Sequence, residues 1–346
     1  MGRDHGNDDM YTKETALRFL MAEAEDLNEL YRKADMVRRE NMGDDIFIRG
    51  IIEFSNVCGN NCLYCGIRAA NTNVRRFTIR PDEIVSIARE MAKTAMTTVV
   101  LQSGENSGLT DDELGNVILQ IKKETELAIT VSVGNRSGEV YRRWRDCGMD
   151  RYLLRFETSD PVLFSRLRPG SSLDDRLSCI GHLKDLGVQT GSGFMIGLPG
   201  ETIEILADNI LLCRTLDLDM IGIGPFIPHP DTPLGREQNV YEDNQEMFFK
   251  VLATLRLFNP DAHIPATTAY DVVFPDTGRD LVLQRGGNIY MPNYTPVVYK
   301  QEYFLYPGKP YVDESPKDTM ASTVKRIEAL GRRIGQGPGH SIKRRV

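Results

Sequence analysis

From Ile46 to Met291 short β-branched runs alternate with amphipathic helical patterns, and this alternation constrains the fold more than any other feature. The expected strands are Ile46–Glu53, Thr97–Gln102, Ala128–Val133, Arg151–Phe156, Thr190–Ile196, Met220–Pro225, His263–Thr267 and Asn288–Met291. Helical patterns fall near 81–95, 110–126, 137–147, 173–186, 202–216, 242–258 and 277–285. Thr110 with Glu113 makes a capping-box pattern, and Pro81 stands where a first helical turn tolerates it. Eight strands alternating with helices predict an α/β fold, a complete (βα)8 barrel of the TIM type rather than an open sheet. Such a barrel takes roughly 250 residues, which leaves room at both ends of a 346-residue chain. Residues 1–42 are expected to form an N-terminal helical extension, 43–310 the barrel, and 311–346 a tail with a helix, near Pro316 to Leu330, packed outside.

Chemistry in such a barrel collects at the C-terminal ends of the strands, and the unusual residues of this chain fall there. The first strand runs into NVCGNNCLYCG (Asn56 to Gly66), where Cys58, Cys62 and Cys65 are separated by three residues and then two. Three soft ligands on one loop suit an iron-sulfur cluster. The next cysteine, Cys147, is far along the chain, so neither a four-ligand zinc site nor a four-cysteine cluster is complete, and one cluster iron would stay open to chelate a small molecule. The alternative is a three-cysteine zinc site completed by His or by another chain.

Other strand ends add polar groups to this picture. Ser103, Gly104 and Glu105 place backbone groups and a carboxylate beside the cluster, although Ser-Gly-Glu is also an ordinary strand-to-helix turn. Arg155 and Glu157 lie on one strand face by the period-two rule; inside a barrel they must pair with each other or bind something polar. The glycine-rich run TGSGFMIGLPGET, Thr190 to Thr202, lets a ligand approach backbone closely. A phosphate cradle is the weaker reading of it, because the run has neither a Gly-Lys-Ser/Thr signature nor a lysine. His229, in the proline-rich PFIPHPDTP, reads as conformational rather than as a metal ligand.

Composition narrows the function classes. A formal net charge of −7 argues against a nucleic-acid partner, since Lys and Arg concentrate only in the short tail Lys343, Arg344, Arg345, which is expected to be solvated. No apolar run reaches the ~18 residues of a membrane helix, and MGRDHGNDDM has no hydrophobic signal core. A cytoplasmic location without a membrane partner is the expectation. The six cysteines are then reduced thiols or metal ligands, with Cys147, Cys179 and Cys213 falling in helical patterns as small buried hydrophobes.

The cysteine spacing, with Tyr64 just before the third thiol, resembles the signature of the radical S-adenosylmethionine (SAM) superfamily. In those enzymes a four-iron four-sulfur (4Fe-4S) cluster binds SAM through its open iron and cleaves it reductively to a 5′-deoxyadenosyl radical. The segments IRGIIEFSNVCGNNCLYCG, VLQSGE, DRYLLRFET, IGLPGET, IGIGPFIPHPDTPL, IPATTA and MPNYTP are similar to the HydE family of FeFe-hydrogenase maturases, kin of biotin synthase, from about residue 30 onward. The resemblance implies that Cys58, Cys62 and Cys65 bind the cluster. It implies that Tyr64, Ser103, Gly104, Glu105, Thr130, Ser132, Glu157, Arg176 and Met195 surround SAM, with Arg176 receiving its carboxylate. Arg49, Arg155, Thr267, Thr268, Met291 and Tyr303 would line the substrate end, where guanidinium forks suit a carboxylate or anionic ligands.

The implied substrate is an iron complex bearing cysteine, carbon monoxide and cyanide. A low-potential electron donor and other hydrogenase maturases are the implied partners. Two departures bear on substrate identity: the family pattern has His before the strand-four Glu, where this chain has Phe156, and Glu after the strand-three Gly, where it has Asn135. Some relatives carry C-terminal cysteines for a second cluster; Tyr311 to Ala321 contains none, so a single cluster is expected. Two rival readings stay open, the first of them motivated by the departures at Phe156 and Asn135. One is a HydE-like paralogue, such as an amino-acid mutase of methylornithine synthase type or a maturase of another metal centre; the other is a non-catalytic scaffold for an iron complex.

Overall fold

The computed structural model describes residues 10–106 and 108–343; Arg344 and Arg345 of the basic tail lie outside them. Among these residues the strands are β1 (Asp45–Ser55), β2 (Thr98–Ser103), β3 (Ala128–Ser132), β4 (Arg151–Leu153), β5 (Gln189–Ser192), β6 (Met195–Ile196), β7 (Met220–Ile221), β8 (Gly224–Pro225), β9 (Pro265–Ala266), β10 (Ile289–Tyr290) and β11 (Arg333–Ile334). The order β7-β5-β4-β3-β2-β1-β10-β9 is parallel throughout, and a parallel bridge from Met220 to His263 joins its two ends. The predicted eight-stave (βα)8 barrel is therefore present, with helices outside it.

Two staves are broken. β5 continues as β6 and β7 as β8, and the continuations pair with each other through Met195 with Gly224 and Ile196 with Pro225. The break falls at Gly193, whose φ is +150°, and a Cβ there would lie 2.7 Å from the carbonyl carbon of Gly222. Only a glycine at position 193 allows the two backbones to approach so closely, whereas a Cβ on Gly222 would meet nothing nearer than 3.9 Å.

Local chemistry sets the helix ends. The Thr110 hydroxyl accepts from the Glu113 N–H at 3.2 Å, and the Glu113 carboxylate accepts from the Thr110 N–H at 2.8 Å, a closed capping box. Pro81 starts the helix Pro81–Ala92. At the N-terminal side, the helices Lys13–Leu20 and Ala24–Met42 pack on the outer helices Ile203–Thr215 and Glu246–Phe258, with Leu27, Leu30 and Ala34 buried against Ala253. No helix of the described residues is long and apolar enough to cross a membrane.

The C-terminal segment departs from expectation. After the helix Pro316–Ala329 the chain adds β11 beside β1, then crosses the N-terminal mouth of the barrel. There the Gly337 carbonyl accepts from Thr97, Pro338 from Thr98 and Arg151, and Gly339 from Arg49. Lys343 is not solvated: its ammonium donates to the Asp217 carboxylate and the Leu218 carbonyl, both at 2.8 Å. The tail closes one end of the barrel and leaves the chamber at the other.

Candidate active site

A chamber of about 340 Å³ lies at the C-terminal ends of the strands. The three-thiol loop forms one wall and is pinned from several sides. The Asn56 side chain accepts from the Phe77 N–H at 2.8 Å and donates to the Glu302 carbonyl at 2.7 Å. The Gly59 N–H donates to the Glu105 carbonyl at 2.8 Å, the Gly104 N–H to Ser55 at 3.0 Å, and the Gly66 N–H to Leu305 at 2.9 Å. Gly104 presses on the loop so closely that a Cβ there would lie 2.7 Å from the Cys58 Cβ.

Cys58, Cys62 and Cys65 all face the chamber as free thiols. Burial pushes the Cys62 and Cys65 thiols up, and the neighbouring cysteines add to the rise, while Arg168 opposes it. A cluster that takes the sulfurs as thiolates would offset that cost. Among the described residues no three His, Cys, Asp or Glu side chains stand close enough to hold one metal ion. Three thiols on one chamber wall fit a cluster, where each iron takes one thiolate and one iron is left open.

Next to the thiols, Glu105 is met by Arg168 at 3.5 Å and Arg176 at 3.3 Å, and Arg168 also donates to the Tyr64 hydroxyl at 3.1 Å. Glu157 sits at φ +67°, and the N–H of Thr158 reaches the Phe156 carbonyl at 2.9 Å, so the backbone makes a tight three-residue turn around it. That conformation is strained for a non-glycine residue, and strain of this kind gathers where a side chain must be aimed. Glu157 Oε2 lies 3.1 Å from Arg155 Nη2, yet neither atom has a hydrogen-bonded partner, because the pair is close without being aligned. The Nε atoms of Arg155, Arg168 and Arg176 are likewise buried and unpartnered. Orphaned polar atoms clustered on one chamber wall mark the place of a polar ligand.

Of the expected site residues, Tyr64, Ser103, Gly104, Glu105, Ser132, Glu157, Arg176 and Met195 share this chamber with Arg155, Thr267, Thr268, Met291 and Tyr303. Arg49 and Thr130 do not. Both point into the barrel but one layer lower, around a void of about 10 Å³ shared with Arg151, Gln189, Asp219 and His263. Arg49, 1% exposed, donates to the Met220 sulfur and to the Gly339 carbonyl of the tail. Phe156 is also corrected: it is fully buried and stacks on Phe194 at 5.9 Å, outside the chamber wall, so the missing His there removes nothing from the cavity lining. Asn135 follows the chamber residue Gly134 without lining the chamber itself.

His229 is conformational, its Nδ1 accepting from the Asp231 N–H at 3.1 Å. Cys213 is fully buried, and Cys147 and Cys179 pack against the same core. Sequence reasoning missed Glu53, Gln102, Asn293, Tyr306 and Lys309, which also line the chamber. Glu53 carried a signal, since Arg49, Ile51 and Glu53 alternate along β1 on the inward face.

The radical SAM superfamily profile matches residues 52–213, a span that opens on the strand carrying the three-thiol loop. The [FeFe] hydrogenase maturase subunit HydE of Thermotoga maritima is 45% identical over 330 residues, covering 95% of this chain and 93% of that protein. The chain belongs to the HydE family of radical SAM enzymes. That family implies a 4Fe-4S cluster and SAM as cofactors, and the converging thiols, the Gly104 contact and the unpartnered polar wall fit them. The 3-methylornithine synthase of Methanosarcina acetivorans is 27% identical over 310 residues, 89% of this chain and 85% of that one. Among solved structures, methylornithine synthase (PylB) superposes with a TM-score of 0.82 at 25% identity, covering 95% of this chain and 97% of its own.

Proposed function

We propose that this radical SAM enzyme carries a single 4Fe-4S cluster on Cys58, Cys62 and Cys65 and acts on a cysteine-bound Fe(CO)2(CN) complex. The reaction would serve assembly of the two-iron part of the FeFe-hydrogenase active site, together with other hydrogenase maturases. The observation that carries this reading is the 45% identity to HydE, sustained over 95% of the chain. When bound, the cluster and SAM supply one electron, taken from an external low-potential donor, and a 5′-deoxyadenosyl radical, as the S–C5′ bond breaks to leave methionine.

This chain's residues hold and aim. Glu105, fixed by Arg168 and Arg176, offers a carboxylate to the SAM ammonium, and the unpartnered Nε of Arg176 a donor to its carboxylate. Gly104 keeps its own backbone against the cluster loop. Arg155, beside Glu157 but with its Nε and Nη2 lacking hydrogen-bonded partners, offers its fork to the substrate end, where Thr268, Met291 and Tyr303 complete the wall. The tail that closes the opposite mouth keeps water from entering along the barrel axis.

A second reading, an amino-acid mutase of methylornithine synthase type, is favoured by the TM-score of 0.82 to that enzyme. Expression of this chain in a strain lacking HydE separates them. Restored hydrogenase activity is expected; no rescue by soluble, cluster-loaded protein would overturn the maturase reading in favour of the mutase.

A further inference from the structure

Beyond the thiol wall and the SAM wall, the chamber has a third charged feature at its substrate end. Glu53 closes the inward face of β1 at 3% exposure and is locked in place. Its N–H donates to the Thr295 hydroxyl at 2.8 Å, its Oε2 accepts from the Asn293 amide at 2.7 Å, and its Oε1 accepts from the Lys309 ammonium. Lys309 comes from the strap between the helices Val297–Lys300 and Pro316–Ala329, the same strap that places Tyr303 and Tyr306 on the chamber wall. Its ammonium also points to the Tyr303 carbonyl at 3.5 Å and stands 5.4 Å from the Tyr303 ring centre.

An ammonium has three N–H groups. Glu53 and the Tyr303 carbonyl take two, and no other acceptor among the described residues takes the third. A buried ion pair stabilises a fold little more than a packed apolar pair of the same size does. Here it stands in the wall of a cavity, where Ile51, Met291 and Leu305 supply apolar neighbours. Lys309, Asn293 and Thr268 also form the partition to a second, smaller cavity of about 60 Å³ beneath the C-terminal helix, so the ammonium is backed by space rather than by packed side chains.

We propose that Lys309 is a specificity-determining residue of this chamber: held at a fixed height by Glu53, it gives its uncommitted N–H to an anionic acceptor on the substrate, separate from the fork of Arg155. The inference deepens the maturase reading and rests on it. It assigns to the substrate two anionic acceptor groups, one for each cation. The charge of Lys309 is balanced within the wall by Glu53, so the ammonium selects by direction as well as by charge.

The test is the KM for the cysteine-bound iron complex, read as 5′-deoxyadenosine formed at saturating SAM by the cluster-loaded enzyme and by Lys309→Met and Lys309→Arg. A hydrogen bond to a charged group sets the expected effect, a rise of about 10- to 100-fold in KM for Lys309→Met. SAM affinity and the cluster spectrum stay unchanged, and Lys309→Arg restores KM to within about threefold. If Lys309→Met fails to load a cluster, Lys309→Gln carries the same comparison, and failure of both to load overturns the proposal in favour of a structural ion pair. A KM within twofold of the parent in the loaded neutral variants overturns it as well. If the parent enzyme cleaves SAM but does not respond to the complex at all, the maturase reading falls and this inference falls with it.

Discussion

The Gly104 contact allows a test that removes no chemical group. Gly104→Ala adds one methyl group, which would sit 2.7 Å from the Cys58 Cβ and 2.9 Å from the Val57 carbonyl carbon, where ordinary contact begins at 3.4 Å. The obstacle on the Val57 side is backbone, so the loop carrying the thiols must retreat by something on the order of 1 Å, or the turn Ser103–Glu105 must. Overpacking of this size costs about 1–3 kcal/mol of stability, which a barrel with an extensive buried core withstands. The effect on the reaction is larger, because a displacement of ~1 Å between reacting groups can cost about 100-fold in rate.

The assay is 5′-deoxyadenosine formation under reductant, with iron content and SAM affinity measured on the same sample. Gly181→Ala is the control: the added methyl group meets nothing within 4 Å, on the helix Leu173–Asp185. It should stabilise the protein by roughly 0.5–1 kcal/mol and leave the rate alone. A Gly104→Ala enzyme with parental rate and SAM affinity would refute the claim that Gly104 sets the spacing between the SAM wall and the thiol loop.

Four further outcomes follow from the structure. Cys62→Ala should abolish iron loading and SAM cleavage, whereas Cys179→Ala should cost only ~1 kcal/mol of packing; equal iron loss in both would overturn the division of the cysteines. Glu201 is buried at 6% exposure, and desolvation, opposed by the N–H groups of Gly197 and Leu198, raises its carboxyl from 4.5 to about 8. The folded state therefore holds a proton that the unfolded chain releases near 4.5, so this group's contribution to stability is lost as pH rises toward 8, and Tm in Glu201→Gln should fall less over that window than in the parent. Truncation before Gly337 should lower Tm markedly, since Arg49 and Arg151, each under 5% exposed, lose the Gly339 and Pro338 carbonyls; an unchanged melt would show that the tail closes nothing. In an equilibrium titration of the SAM-loaded, unreduced protein, Arg155→Met should weaken binding of the iron complex at least tenfold with SAM affinity retained; equal affinity would remove Arg155 from the substrate wall.

Much of the fold could be read from the sequence because its punctuation is local. The capping box at Thr110 and the proline at Pro81 set helix starts within a residue, and the strand runs are β-branched and bounded by turn residues. What the alternation could not supply is height along the barrel axis. Arg49 and Arg155 both face inward, but β1 is eleven residues long and passes through both layers, so Arg49 ends below the chamber and Glu53 inside it. Phe156 lies between two inward residues, and the same period-two rule that places Arg155 and Glu157 in the chamber turns it outward onto Phe194.

The remaining features had no periodic signal. The strap carrying Tyr306 and Lys309 is irregular, held by the Lys300 ammonium on the Glu314 carbonyl at 2.8 Å and by Leu305 on the cluster loop. The tail over the lower mouth is fixed by main-chain carbonyls, whose partners sequence cannot name. The three thiols were legible because their spacing is covalent, and the wall facing them only because the strand ends resembled a family.

The most direct test of the account is anaerobic reconstitution with iron and sulfide, followed by SAM and dithionite, with the cluster spectrum and the adenosyl product recorded together. The account predicts a 4Fe-4S spectrum that changes when SAM is added, and 5′-deoxyadenosine with methionine in equal amounts after reduction. A protein with an intact, reducible cluster that binds SAM but releases no 5′-deoxyadenosine would contradict it.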